Sequence, residues 1–394
     1  MPFDDIVILG TARTPIGSFL GALAAVPAPR LGATAIAAAI ARSGIDKNLV
    51  EQVYMGNVLQ AGIGQAPARQ AAIFAGLPNS AGAVTVHKVC GSGMKAIMNG
   101  ANDLRVGEFE VVVAGGMESM SNAPHLLEGS RAGYRMGTVQ LQDSMIKDGL
   151  WDPYGDKHMG NCAELCVRKF GMTREEQDAF SLESYRRARA ASEGGEFSVE
   201  IIHVEIPQKK GDPKKIDKDE EPFAAPLEKM PTLRPAFEKD GTVTAANSSK
   251  INDGAAALVL TTAKRAASLG ARPIARILGQ ASHAQEPDWF TTAPAGAVLK
   301  LLARTGKKAA DVDLWEINEA FAAVAMAAIR ELELDPKKVN IRGGAVALGH
   351  PIGASGARIV VTLLSALEKT GGRLGVAAIC IGGGEATALL VERL

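Results

Sequence analysis

Three residues of this chain combine reactive side chains with glycine-rich surroundings: Cys90, His350 and Cys380. Cys90 lies in Val89-Cys90-Gly91-Ser92-Gly93, between a β-branched run and a helical pattern. A strand-to-helix turn exposes the sulfur, and the positive end of the helix dipole favours the thiolate, the reactive form. A buried structural cysteine is the plainer alternative on residue type alone, and the glycines tip the balance away from it. His350 stands between Gly349 and Pro351 at the end of a glycine-dense run from Gly343. A neutral imidazole there can take a thiol proton, as in Cys–His nucleophile pairs. Cys380 closes a strand and precedes Ile381-Gly382-Gly383-Gly384, whose backbone amides can face an oxyanion. One Cys beside a His implies acyl transfer; a second thiol adds an acid/base for carbon acidity. Asn318, in Asn318-Glu319-Ala320-Phe321, reads as a helix N-cap or as an amide that positions an oxyanion water.

The elements that must position these groups alternate. Strand-like runs fall at 6–9, 53–55, 84–86, 111–114, 257–260, 274–278, 314–317, 376–381 and 386–391. Helical patterns fall at 31–43, 93–106, 174–192, 293–305, 318–332 and 354–370. Such alternation predicts α/β layers. The ends look like two copies of one unit. The segment 311–318 parallels 51–57, and the intervals from Asn57 to Cys90 and from Asn318 to His350 differ by one residue. Each landmark is followed by a helix and then by a strand ending in glycines. Cys90 and His350 would then occupy matching turns and converge across a pseudo-twofold axis. Between them, 121–247 reads as an inserted loop domain with an exposed charge-rich stretch from Lys209 to Glu221. The implied boundaries are 1–120, completed by 248–272, for the first core domain, and 273–394 for the second. A capping box is expected at Thr173 and Glu176.

With 394 residues the chain exceeds what one core usually supports. Its 43 basic and 43 acidic residues cancel, which removes any general field for nucleic acid or for a membrane surface. No apolar run reaches the roughly 18 residues of a bilayer span. The acidic start and the C-terminal Val391-Glu392-Arg393-Leu394 carry no address signal, and four cysteines make no disulfide framework, so a cytoplasmic setting is expected, with a processed mitochondrial form as the alternative. His158, Cys162 and Cys166 fall at i, i+4 and i+8. The ends of that row lie about 12 Å apart along a helix, too far for one zinc ion to take all three.

Four motifs in order, around Cys90, Asn318, His350 and Cys380, resemble the thiolase family. Thr11-Ala12-Arg13-Thr14-Pro15 and Ala114-Gly115-Gly116-Met117-Glu118-Ser119-Met120 extend the match over essentially the whole chain. The resemblance implies the thiolase fold: two duplicated α/β core domains in an αβαβα arrangement plus the loop domain. It also implies reversible Claisen condensation of two acetyl-CoA to acetoacetyl-CoA and CoA, with CoA as substrate or product and no required cofactor. Cys90 would carry the acetyl group and His350 would activate it. Cys380 would move the C2 proton. A water on Asn318, with His350, would hold the enolate, and the amides of Cys90 and Gly382 the acyl-enzyme oxyanion. His158-Met159-Gly160 resembles the acetoacetyl-CoA branch, in which Met159 shortens the acyl pocket. Leu150, His158 and Ser249 correspond to pantetheine contacts, Phe237 to the pocket wall, and Ala320 and Phe321 to the substrate-binding set.

Two departures stand out. Lys250 replaces the smaller residues common in this branch, and no arginine lies near Pro222–Ala224 to stack on the adenine. Tyr185, Ala245, Ala246, Ser248 and Val346 match positions that form a potassium site in some members, with Ser248 in place of an Ala. Family members are dimers or tetramers; a homotetramer is the expectation here, with 128–142 as the tetramerising loop. The rival readings are a degradative thiolase of broader chain length, a related Claisen enzyme lacking the second Cys, and a non-catalytic acyl-CoA-binding protein.

Overall fold

The computed structural model describes residues 4–394. Nine strands in line, with the short Gly17–Ser18 pairing antiparallel off that line with Asn252 and Asp253, form one mixed sheet built from two halves of the same order. In the first half Ile6–Arg13 pairs antiparallel with Asn252–Thr262, which pairs antiparallel with Val111–Ser119. Gln52–Gly56 and Gly82–Val86 then add in parallel. In the second half Ala275–Ala284 pairs antiparallel with Glu385–Arg393, and that strand with Leu374–Ile381. Leu314–Ile317 follows in parallel, and a parallel bridge from Trp315 to Val339 takes the fifth place. The halves join where Ile6 to Ile8 pair antiparallel with Ala275 to Ile277. The repeat read from the sequence is therefore a repeat of topology.

Alternation of side chains explains the layers. Along Asn252–Thr262, Ala256, Leu258 and Leu260 face a central core, while Ala255, Ala257 and Val259 face an outer one. Both faces are apolar because both are covered, as period-2 geometry requires of a sandwiched strand. The central core holds the helices Ser92–Val106 and Ile352–Thr370, one from each half. The helix Ala28–Ser43 covers the outside of the first half, and Ala293–Thr305 and Ala322–Glu331 the outside of the second. The two central helices touch backbone to backbone: a methyl on Gly356 would stand 2.5 Å from the Met94 nitrogen. That contact brings the helix starts, and the turns before them, side by side.

The inserted region carries the helices Met159–Phe170 and Arg174–Glu193, the latter opened by the expected capping box of Thr173 and Glu176. Its charge-rich stretch is exposed from Lys209 to Lys215, and its end turns inward. Asp219 is buried against Arg13 at 2.7 Å, and Glu200 holds the same guanidinium at 2.7 Å. The Thr11–Pro15 motif thus contributes a buried ion cluster that pins the insertion to the first strand. Three sequence expectations change at element ends. The strands run longer than their β-branched cores, because alanines and glycines continue the ladder. Pro67–Phe74 adds a helix that its mixed pattern hid. Asn318 does not open a helix: its N–H continues the sheet to the Ala378 carbonyl at 3.0 Å, and the helix begins at Ala322 after an extended Phe321.

Candidate active site

The turn before the helix Ser92–Val106 is tight. Val89 adopts a positive φ of 44°, rare for a β-branched residue. Ser92 locks the turn by accepting from the Lys88 N–H at 2.8 Å and donating to the Val89 carbonyl at 2.6 Å. This strained elbow presents Cys90 to a cavity of about 410 Å³. Gly91 lets the end of the Leu374–Ile381 strand close on the turn, since a methyl there would meet Ile381 at 2.4 Å. The approach sets Cys380 beside Cys90 and aims the Gly382 amide at the Cys90 sulfur.

The helix start does not by itself make Cys90 a thiolate. Burial pushes the thiol up to about 11, against the Gly382 and Cys90 amides, which favour the charged form. Cys380 is fully buried and its thiol is raised still further, by burial and then by the neighbouring Cys90.

His350 reaches the same cavity from the matching turn of the second half. Gly349 takes φ 105°, and a side chain there would strike Asn252 at 2.4 Å. The Asn252 side chain instead accepts the His350 N–H at 2.8 Å. The imidazole Nδ1 lies 2.6 Å from Ser355 Oγ, and Ser355 in turn lies 2.9 Å from the Pro351 carbonyl. Ser355 has one proton to give, and the carbonyl can only accept, so Nδ1–H donates to Ser355. That tautomer leaves the Nε2 lone pair, buried and without a protein partner, as the basic atom. Burial, then the Arg358 charge, lowers His350 to about 3, so the ring is neutral at physiological pH.

Asn318 is buried, and both atoms of its side-chain amide lack protein partners. A buried amide in that state is suited to water or to a ligand.

The sequence set divides cleanly. Cys90, His350, Gly382, Leu150, His158, Met159, Phe237, Ser249, Ala320 and Phe321 all line the cavity, while Cys380 and Asn318 are buried next to lining residues. His158 caps the helix Met159–Phe170, accepting from the Gly160 N–H through Nδ1 at 3.1 Å, and stacks on Phe237 at 4.8 Å. Its Nε2 therefore carries a proton. Phe321 packs edge-on against Phe237 and Phe290. Cys162 and Cys166 are buried along the helix in the apolar cluster that also holds Met159, Phe321 and Cys380. Of the expected cation set, Ala245 and Ser248 line the cavity, whereas Tyr185 and Val346 are buried behind it beside Ala246.

Phe290, Met120 and Ile352 also line the cavity and were not singled out from sequence. Nothing local marks Phe290, which arrives from a turn in the second half. Ser355 carried a signal, since a hydroxyl five residues after the His begins the same helix.

Paired thiols, a neutral imidazole and two amides at the head of an apolar cavity, on a duplicated α/β frame, define an acyl-transferring enzyme with a cysteine nucleophile. Comparison with known proteins makes the class specific. The thiolase N-terminal domain matches residues 6–264 and the thiolase C-terminal domain residues 271–393. The chain belongs to the thiolase family. It is 53% identical to acetyl-CoA acetyltransferase 2 of Arabidopsis thaliana over 99% of this chain and 97% of that one. It is 51% identical to the acetyl-CoA acetyltransferase of Cupriavidus necator over 99% of each. A thiolase from Ascaris suum, solved in complex with coenzyme A, superposes with a TM-score of 0.94 at 48% identity, covering 99% of this chain and 100% of that one.

Proposed function

We propose that this chain is an acetyl-CoA acetyltransferase that joins two acetyl-CoA into acetoacetyl-CoA and CoA, and runs the reverse thiolysis. The observation that carries the reading is the second thiol, Cys380, brought near Cys90 where Ile381 closes on Gly91. A Claisen enzyme that decarboxylates its donor has no use for that group, whereas removing a proton from C2 of acetyl-CoA requires one.

The residues divide the work as follows. Cys90 attacks the thioester carbonyl while His350 Nε2 takes its proton. The Cys90 and Gly382 amides hold the resulting oxyanion, and this preorganised pair is the main electrostatic aid to the step. CoA leaves as a thiolate and takes the proton of Cys380. Cys380, now a thiolate, removes a proton from C2 of the second acetyl-CoA. The enolate oxygen is held by His350 and by a water on Asn318. The C2 carbon attacks acetyl-Cys90, and when the new intermediate collapses Cys90 leaves as a thiolate and recovers its proton from His350. The basicity that burial gives the Cys380 thiolate suits it to removing the C2 proton.

Met159 supports the short-chain reading. It faces the Gly382 turn, its sulfur 3.3 Å from where a Gly382 side chain would begin, and so narrows the space beyond Cys90. The His158 Nε2–H and the Leu150 and Ser249 walls suit the amide and methylene groups of pantetheine. A homotetramer is favoured by the apolar residues exposed along the segment 128–142, among them Met136 at 97% and Leu141 at 61%. A cytoplasmic location accompanies this reading. Incubating the purified protein with acetoacetyl-CoA and CoA tests the activity: acetyl-CoA should form as the acetoacetyl-CoA absorbance falls. A protein that binds both without turnover would be a non-catalytic carrier.

A further inference from the structure

Lys250 departs from the branch pattern, and its side chain explains what the departure does. It follows Ser248 and Ser249 in the cavity wall. Its ammonium donates to the Ala245 carbonyl at 2.5 Å and the Ser248 carbonyl at 2.9 Å, and lies 5.8 Å from the centre of the Tyr185 ring. Ala245, Ser248 and Tyr185 are three of the five residues matched to a potassium site. An ion there needs the same two carbonyl oxygens. It would also sit beside the fixed Lys250 charge, which the Glu221 carboxylate in the same cavity wall already offsets. The residues present therefore do not fit a resident potassium ion.

We propose that the Lys250 ammonium is the cation of this site, a tethered replacement for a diffusible monovalent ion. Its two bonds close the turn from Ala245 to Ser248 on itself and hold it over the helix Arg174–Glu193, which carries Tyr185. The same turn supports the substrate wall: Ser249 N–H donates to the Ala320 carbonyl at 3.0 Å, and Ser248 bridges to Phe321. Burial lowers Lys250 to about 8 while Glu221 opposes the shift, so the group is charged at neutral pH. Lys250 is thus a positioning residue for the wall that receives the CoA arm. This last point rests on the acyl-CoA reading above, whereas the claim about the cation does not. Removing the side chain would free both carbonyls and leave the buried Tyr185 hydroxyl, which lacks a protein partner, as a third oxygen.

The test compares wild type, Lys250→Gly and Lys250→Met in KCl and in NaCl at equal ionic strength, reading the unfolding temperature and the KM for CoA in thiolysis. Wild type should give the same values in both salts. Lys250→Gly should melt lower and show a several-fold higher KM in NaCl, and should recover both in KCl. Lys250→Met fills the space without the charge, and should show the raised KM in either salt. If Lys250→Gly folds in KCl alone, the proposal stands. A wild type whose unfolding temperature or KM improves in KCl would overturn it. So would a Lys250→Gly that matches wild type in both salts, or a Lys250→Met with wild-type KM. An inactive wild type would count against the acyl-CoA reading, and the melting comparison would still decide the cation.

Discussion

The Nδ1 of His350 lies 2.6 Å from Ser355 Oγ, and this one hydrogen bond decides which imidazole nitrogen is basic. Ser355 does not line the cavity, yet it leaves the buried Nε2 lone pair as the free basic atom of a ring that shares the cavity with Cys90. Replacing Ser355 by Ala should lower kcat about tenfold, the usual worth of one such hydrogen bond. Acetyl transfer and condensation should fall together, because His350 serves both, and Ser355→Thr should restore much of the rate. Unchanged rates in Ser355→Ala would show that the ring is oriented by its backbone alone.

The pocket should discriminate by acyl length. Acetoacetyl-CoA should be cleaved far faster than a 3-ketoacyl-CoA of ten carbons, since Met159 stands at the Gly382 turn. Met159→Ala should narrow the gap by about 10–200-fold in the ratio of kcat/KM, the range that small changes in an apolar pocket produce. Comparable values for both substrates in the wild type would place the protein with degradative thiolases.

Burial of both thiols has a consequence for reactivity with pH. With Cys90 pushed up to about 11, its thiolate fraction rises with pH throughout the range below that value. Iodoacetamide should therefore alkylate Cys90 about tenfold faster for each pH unit between 7 and 9. A rate that levels off below pH 8 would mean that the two amides outweigh burial.

Arg13 joins the first strand to Glu200 and Asp219 of the insertion with all three groups buried. Burial works against the Arg13 charge, and the two carboxylates outweigh it. Arg13→Ala strands both carboxylates, and should cost about 3–5 kcal/mol of stability, the usual penalty for breaking a buried ion pair. Denaturant unfolding measures this directly; a loss of less than about 1 kcal/mol, as for an exposed pair, would contradict it.

Much of this was legible in the residues. The β-branched runs located the central strands because strands covered on both faces leave a dense apolar signature. The nearly equal spacing of Asn57 to Cys90 and Asn318 to His350 exposed the repeat that sets the two turns side by side. A polar residue before an apolar helix reads as a cap, which puts the helix start too early, at Asn318. Its N–H is instead held by the neighbouring strand, a contact 60 residues distant. At Cys90 the helix start favours the thiolate locally, whereas burial, which the sequence does not display, works against it. Lys250 was visible as an anomaly, but its target carbonyls became apparent when the turn from Ala245 was folded back on it.

The division of labour between the two thiols is the centre of the account, and mass spectrometry of Cys380→Ser after mixing with acetyl-CoA tests it most directly. Cys90 should carry one added acetyl group, and exchange between acetyl-CoA and labelled CoA should persist in part. Condensation should nevertheless collapse, because a serine hydroxyl is too weak an acid and base to handle the C2 proton. In Cys90→Ser the acetyl group and the exchange should both vanish. An acetyl group on Cys162 or Cys166, or a Cys380→Ser protein as free of label as Cys90→Ser, would contradict the assignment.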